Sequence, residues 1–78
     1  MYAAKNVHIS TEFYASCLIT SQPKCVSNMW VPYAFVAWRE HGMVQFHRFP
    51  ELDALFFSTE TEAISAGFLI GRSWADKL

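Results

Sequence analysis

The side chains able to carry chemistry are few: Cys17 and Cys25, His8, His41 and His47, and the carboxylate pairs Glu51/Asp53 and Glu60/Glu62. A structural zinc site draws its ligands from short pairs such as C-x-x-C or H-x-x-x-H. None of the five Cys and His positions is spaced that way, so no metal is expected. A Cys25 nucleophile with a distant His can be drawn for any chain with two Cys and three His, which makes the pattern unspecific. Glu60 and Glu62 are accounted for by a helix N-terminus, and Glu51 and Asp53 fall in a polar connection. Gly67-x-x-x-Gly71 lacks the preceding strand and turn of a phosphate cradle and reads as a packing device. Pockets of ~300 Å³ or more need walls that so short a chain can hardly build. These residues predict a chain that is not an enzyme and binds no cofactor.

Seventy-eight residues, 53% hydrophobic and 17% charged, describe one domain over residues 1–78. Three Trp, three Tyr and seven Phe with a net charge of -1 are the opposite of a disordered composition. The longest charge-free stretch, 25–38, is interrupted by Ser27, Asn28, Pro32 and Tyr33 and is shorter than the ~18–20 apolar residues of a spanning helix. Residues 1–6 offer neither an apolar signal core nor an Arg-rich transit segment, so a cytoplasmic protein is expected. Both cysteines are expected to be reduced thiols, packed as small hydrophobes. A domain this small buries only about 60% of the surface of its unfolded chain, which leaves a marginal core. The apolar excess therefore suggests completion of the core against a second copy.

Residues 7–19 alternate with period two, Val7, Ile9, Thr11, Phe13, Ala15, Cys17 and Ile19 opposing His8, Ser10, Glu12, Tyr14, Ser16 and Leu18, as in a half-buried strand. The run exceeds the usual five or six residues, so a bulge, a bend or a short hairpin within it stays open. Residues 20–28 read as a polar loop. A second strand is expected over 30–39, with Pro32 at a sheet edge or just outside the ladder, and a third over 43–49. A three-residue turn, Glu40-His41-Gly42, would pair Arg39 with Met43, Trp38 with Val44 and Val36 with Phe46. This count segregates Ala34, Val36, Trp38, Val44 and Phe46 on one face and is preferred to a two-residue loop for that reason.

Pro50 ends the third strand, and 51–58 form a connection in which a short extended piece around Leu55-Phe56-Phe57 is left open. Thr59-Glu60-Thr61-Glu62 is a capping box, and a helix to about residue 76 follows. Its expected buried arc includes Ala63, Gly67, Gly71, Trp74, Ala75 and Leu78. Each helical glycine costs ~1 kcal/mol relative to alanine, so close approach to a bulky side chain such as Trp38 or Phe46 is the expected benefit. The expected fold is α+β: a three-stranded antiparallel meander followed by one C-terminal helix, β-β-β-α.

Trp30, Pro32, Val36, Trp38, Phe57, Thr59, Glu62, Ala63, Gly67, Trp74 and Asp76 form a pattern over residues 30–77. It resembles that of short, uncharacterised bacterial proteins built from an antiparallel β-sheet and a terminal helix. The resemblance implies the fold and attaches no activity.

One helix covers one sheet face. The other is expected to carry Tyr14, Leu18, Tyr33, Phe35 and Phe49 interleaved with Arg39 and His47, and contiguous apolar surface of this kind marks a partner site. The expected function is an interaction module that self-associates as a homodimer, or binds another protein, through this face. The alternative is single-stranded nucleic acid stacked on the aromatic platform. Against it, six scattered Lys and Arg are outnumbered by seven acids, whereas a phosphate-tracking surface clusters its cations.

Overall fold

The structure, a computed structural model, describes residues 9–78. Six strands, a 3₁₀ turn and one helix follow one another: β1 Ser10–Tyr14, β2 Cys17–Ser21, β3 Lys24–Val26, β4 Met29–Val31, β5 Ala34–Glu40, β6 Met43–Arg48, the 3₁₀ turn Pro50–Ala54 and α1 Glu60–Ala75. Four strands form one antiparallel sheet in the order β1-β2-β5-β6, while β3 and β4 form a separate two-stranded sheet. The class is α+β, as expected, but the three-stranded meander is corrected to four strands with a hairpin inserted between the second and third.

The extra strands come from turns with weak sequence signatures. The run 7–19 folds back on itself at Ala15-Ser16, and the supposed loop 20–28 contains a second reversal at Ser27-Asn28. Both turns hold their two central residues at positive φ, 50° and 65° in the first and 52° and 65° in the second. That geometry makes a two-residue hairpin whose twist matches the flanking strands. Val7 and His8, at the start of the alternating run, lie outside the described residues. The expected second strand is broken at Pro32, which has no N–H to donate and separates β4 from β5. The inserted hairpin is tied down at its base by Gln22 N–H donating to the Tyr33 carbonyl (2.8 Å). Reciprocal bonds between Trp30 and Phe57, each 2.8 Å, hold its second strand to the connection. The extended piece left open around Leu55-Phe57 is thus a single bridge at Phe57.

The third turn also has two residues, not three. His41 (φ 54°) and Gly42 (φ 78°) are its centre, and Glu40 pairs with Met43, Arg39 with Val44, Trp38 with Gln45, Ala37 with Phe46 and Val36 with His47. The expected pairings of Trp38 with Val44 and Val36 with Phe46 are therefore displaced by one. Because side chains alternate along a strand, this one-residue difference sends Val44 and Phe46 to the opposite face. The expectation failed because it assumed that apolar residues of neighbouring strands must share a side.

The helix agrees with its local signals. Thr59 Oγ1 accepts from Glu62 N–H (3.2 Å), and Glu62 Oε1 accepts from Thr59 N–H (3.3 Å), closing the capping box. Ala63, Gly67, Gly71 and Ala75 form its buried stripe, whereas Leu78, past its end, is exposed. Contrary to the expectation, the glycines do not meet Trp38 or Phe46. A Cβ on Gly67 would collide with Ser21 Oγ and come within 3.2 Å of Ala34 Cβ, and one on Gly71 would lie 2.6 Å from Ile19 Cγ2. The helix axis is drawn down onto β2 and β5, and close van der Waals approach offsets the entropy cost of the two glycines. Ser21 is fully buried, and its hydroxyl donates to the Ile64 carbonyl (3.0 Å), which satisfies a polar group under the helix.

The core consists of Cys17, Ile19, Ala34, Val36, Phe49, Leu52 and Ala75, with Tyr14, Trp38, Phe68, Ile70 and Trp74 packed against it. Cys17 and Cys25 are both free thiols, but Cys25 on β3 is exposed and not the core residue expected. Burial pushes the Cys17 thiol above its ordinary pKa, since the thiolate would lose hydration there.

Candidate interaction surface

Every two-residue turn swaps odd and even positions between neighbouring strands. The side of the sheet facing α1 carries Glu12 and Tyr14 from β1, Cys17, Ile19 and Ser21 from β2, Ala34, Val36 and Trp38 from β5, and Gln45 and His47 from β6. The opposite side carries Thr11, Phe13, Leu18, Thr20, Phe35, Ala37, Arg39, Val44, Phe46 and Arg48.

Four of the seven residues expected on the outer surface are there. Leu18, Phe35 and Arg39 belong to it, and the Tyr33 ring stands at its end, 6.4 Å from that of Phe35 in edge contact. Three are corrected to the helix side. Tyr14 donates its hydroxyl to Asp76 Oδ1 (2.9 Å), and this bond raises the phenol above its ordinary pKa by favouring the protonated form. His47 stacks on Trp74 with ring centroids 4.6 Å apart and 7° between planes. Phe49 is buried and packs edge-on to both His47 and Trp74. His47 is therefore a packing residue at the C-terminal end of the helix, while His41 sits in the exposed turn.

In their place the outer side gains Phe13 and Phe46, 83% and 67% exposed, and Val44. The register places Phe13, Leu18, Ala37 and Phe46 directly opposite one another in a single row across all four strands. The two large rings stand on the outermost strands and the two smaller residues lie between them. Strands are about 4.8 Å apart, so the rings rise from backbones roughly 14 Å apart. Between Phe13 and Val44, over Leu18 and Ala37, runs an open depression of about 390 Å³ with Arg39 at one end. The next row ends in Phe35 and Arg48, and the Phe35 ring lies 6.1 Å from that of Phe46. The two-residue signature His41-Gly42 was the one sequence cue to this arrangement.

Charge is also divided by side. Among the residues that the four strands turn outward, Arg39 and Arg48 are charged and neither Asp nor Glu occurs. The Arg48 guanidinium lies 4.8 Å from the Tyr33 ring centroid, and Lys24 Nζ lies 5.1 Å from it. Arg48 also donates to both oxygens of Asp53, each at 2.9 Å, and this bond raises its pKa. On the helix side Arg72 donates to Glu12 through Nε (2.6 Å) and Nη2 (2.8 Å). The bond from Arg72 holds the Glu12 carboxyl below its ordinary range.

Among the described residues no group of three or more His, Cys, Asp or Glu is placed to hold a metal ion, and no helix is long and apolar enough to cross a membrane. No family model matches this chain, and neither a curated protein nor a solved structure matches it.

Proposed function

We propose that the chain is a non-enzymatic interaction module that self-associates through its outer sheet face. The observation that carries this reading is the row Phe13, Leu18, Ala37 and Phe46, with Phe35 and Val44 beside it, which no other described element covers. Water held against such a surface is released when a second apolar face meets it, which gives about 25 cal/mol per Å² of apolar area removed. Five of the seven carboxylates are engaged in structural pairings: Glu12 with Arg72, Glu40 with Trp38, Asp53 with Arg48, Asp76 with Tyr14, and Glu62 in the cap. That use supports a binding role over a reaction.

A second reading, single-stranded nucleic acid on the same face, is favoured by one specific observation. Lys24 and Arg48, distant in sequence, both lie over the Tyr33 ring beside Phe35 and Phe46, Arg39 stands farther along the same face, and the outward-turned strand residues lack any carboxylate. Stacking platforms flanked by cations bind unpaired bases.

Light scattering after size exclusion at micromolar concentration tests the first reading. A dimer that becomes a folded monomer on Phe13→Glu is expected, and a stable wild-type monomer overturns it. Titration of a labelled single-stranded oligonucleotide at low salt tests the second. Binding that weakens steeply as salt is added supports it, and no binding at tens of micromolar removes it.

A further inference from the structure

Among the described residues β6 is an edge of the sheet, with one side of its backbone unpaired. Across a two-residue hairpin the flanking residues exchange both backbone hydrogen bonds, so Met43, Gln45 and His47 bond toward β5. The N–H and C=O groups of Val44, Phe46 and Arg48 then point away from the sheet. Among the described residues nothing accepts from or donates to them. Proteins protect such edges with proline, a bulge, an inward lysine or a covering element. Pairing of β6 with β5 runs without interruption from Met43 to Arg48, proline enters only at Pro50, and the inward side chains, Met43, Gln45 and His47, include no lysine. The outer edge, β1, is preceded by residues that are not described, whereas both flanks of β6 are in view.

We infer that β6 pairs antiparallel with β6 of a second copy, joining two four-stranded sheets into one of eight strands. The inference rests on the self-association reading only in taking a second copy as the occupant. This edge contact is made by backbone groups and adds to the contact through the face, so that face-paired dimers join through β6. Two-fold symmetry restricts the register, because hydrogen-bonded partners must both come from the outward set Val44, Phe46 and Arg48. With Phe46 on the axis, Phe46 faces its own copy, Val44 faces the second copy's Arg48, and Gln45 faces its His47. No like charges oppose one another, and nearly the whole strand is used. Centring on Gln45 instead would leave Arg48 opposite the turn glycine Gly42 and shorten the ladder. The Phe46-centred register also joins the row Phe13, Leu18, Ala37 and Phe46 end to end with its copy, doubling the apolar surface without covering it.

Residue-resolved amide exchange across a concentration series tests the inference, with Val44→Pro as the variant. Proline at position 44 removes an N–H aimed at the open edge and leaves the bonds from Met43, Gln45 and His47 to β5 intact. The expected result is that the amides of Val44, Phe46 and Arg48 slow as concentration rises, by the factor by which free monomer is depleted. Met43, Gln45 and His47 stay protected throughout, and Val44→Pro removes the edge contact and leaves a folded dimer held through the face. If a dimer forms while those three edge amides remain fast, and Phe13→Glu rather than Val44→Pro dissociates it, the face contact stands and the edge pairing is overturned. A folded wild-type monomer at every concentration overturns both. Should Val44→Pro fail to fold, the wild-type exchange pattern alone decides.

Discussion

The two sides of the same sheet solve opposite packing problems. On the helix side the contact layer is built from small residues, Ala63, Gly67, Gly71 and Ala75 of α1 above Ser21, Ala34 and Ile19 of the sheet. Three polar groups on that side have partners across the layer: Ser21 on Ile64, Glu12 on Arg72 and Tyr14 on Asp76. On the outer side large rings stand on the edge strands, smaller residues lie between them, and the charged groups turned outward by the strands are cations. Close packing tolerates almost no change in volume, whereas an open face tolerates most. The difference shows that hydrophobicity alone does not tell the inside of a small sheet from its outside: His47 and Gln45 face the helix side while Phe46 and Val44 point away from it.

Three measurements would break or sharpen this contrast. The largest effect is expected for Gly67→Leu, which drives a branched side chain into Ser21 and Ala34. Overpacking there should cost about 3 kcal/mol or more and bring the protein close to unfolding at ambient temperature. An unchanged melting temperature would mean that the helix lies elsewhere. Phe46→Ser, on the other side, should change the stability of the monomer by less than about 1 kcal/mol, as expected for an exposed strand position. A loss comparable to that of Gly67→Leu would show the outer face to be part of the core. The smallest effect is expected from acid. Glu12 has a folded pKa lowered from 4.5 by its bond from Arg72, so its stabilisation is present above the ordinary value and is lost as pH falls through the lowered one. Melting curves on either side of that range should show a modest acid-side decline that Glu12→Gln reduces, and an identical decline in the variant would assign it to other carboxylates.

The helix was legible in the sequence because its signals act over four residues or fewer. Thr59 and Glu62 cap each other, and the spacing of Ala63, Gly67, Gly71 and Ala75 follows from 3.6 residues per turn. A hairpin within 7–19 was among the options left open, but its place at Ala15-Ser16 was not legible, since neither residue advertises the left-handed conformation that both adopt. Without that turn, Phe13 and Cys17 read as one face of one strand, although the structure places Phe13 outside and Cys17 within. Of the outer face, Leu18, Tyr33, Phe35 and Arg39 were anticipated; Phe13 was misplaced by the unread hairpin, and Val44 and Phe46 by an error of one residue in the next turn, since either mistake inverts the side chains beyond it.

The chain alone determined the class of the fold, the extent of α1, its buried stripe of small residues and the excess of aromatic side chains over what one helix can cover. Tertiary structure decided how many strands there are, which side of the sheet each one shows to the helix, and where the cations lie. Capping and helical periodicity are local, so they survive in isolation. Strand register is set jointly by turns and by partners distant in sequence, and only the assembled sheet selects among pairings that differ by a single position.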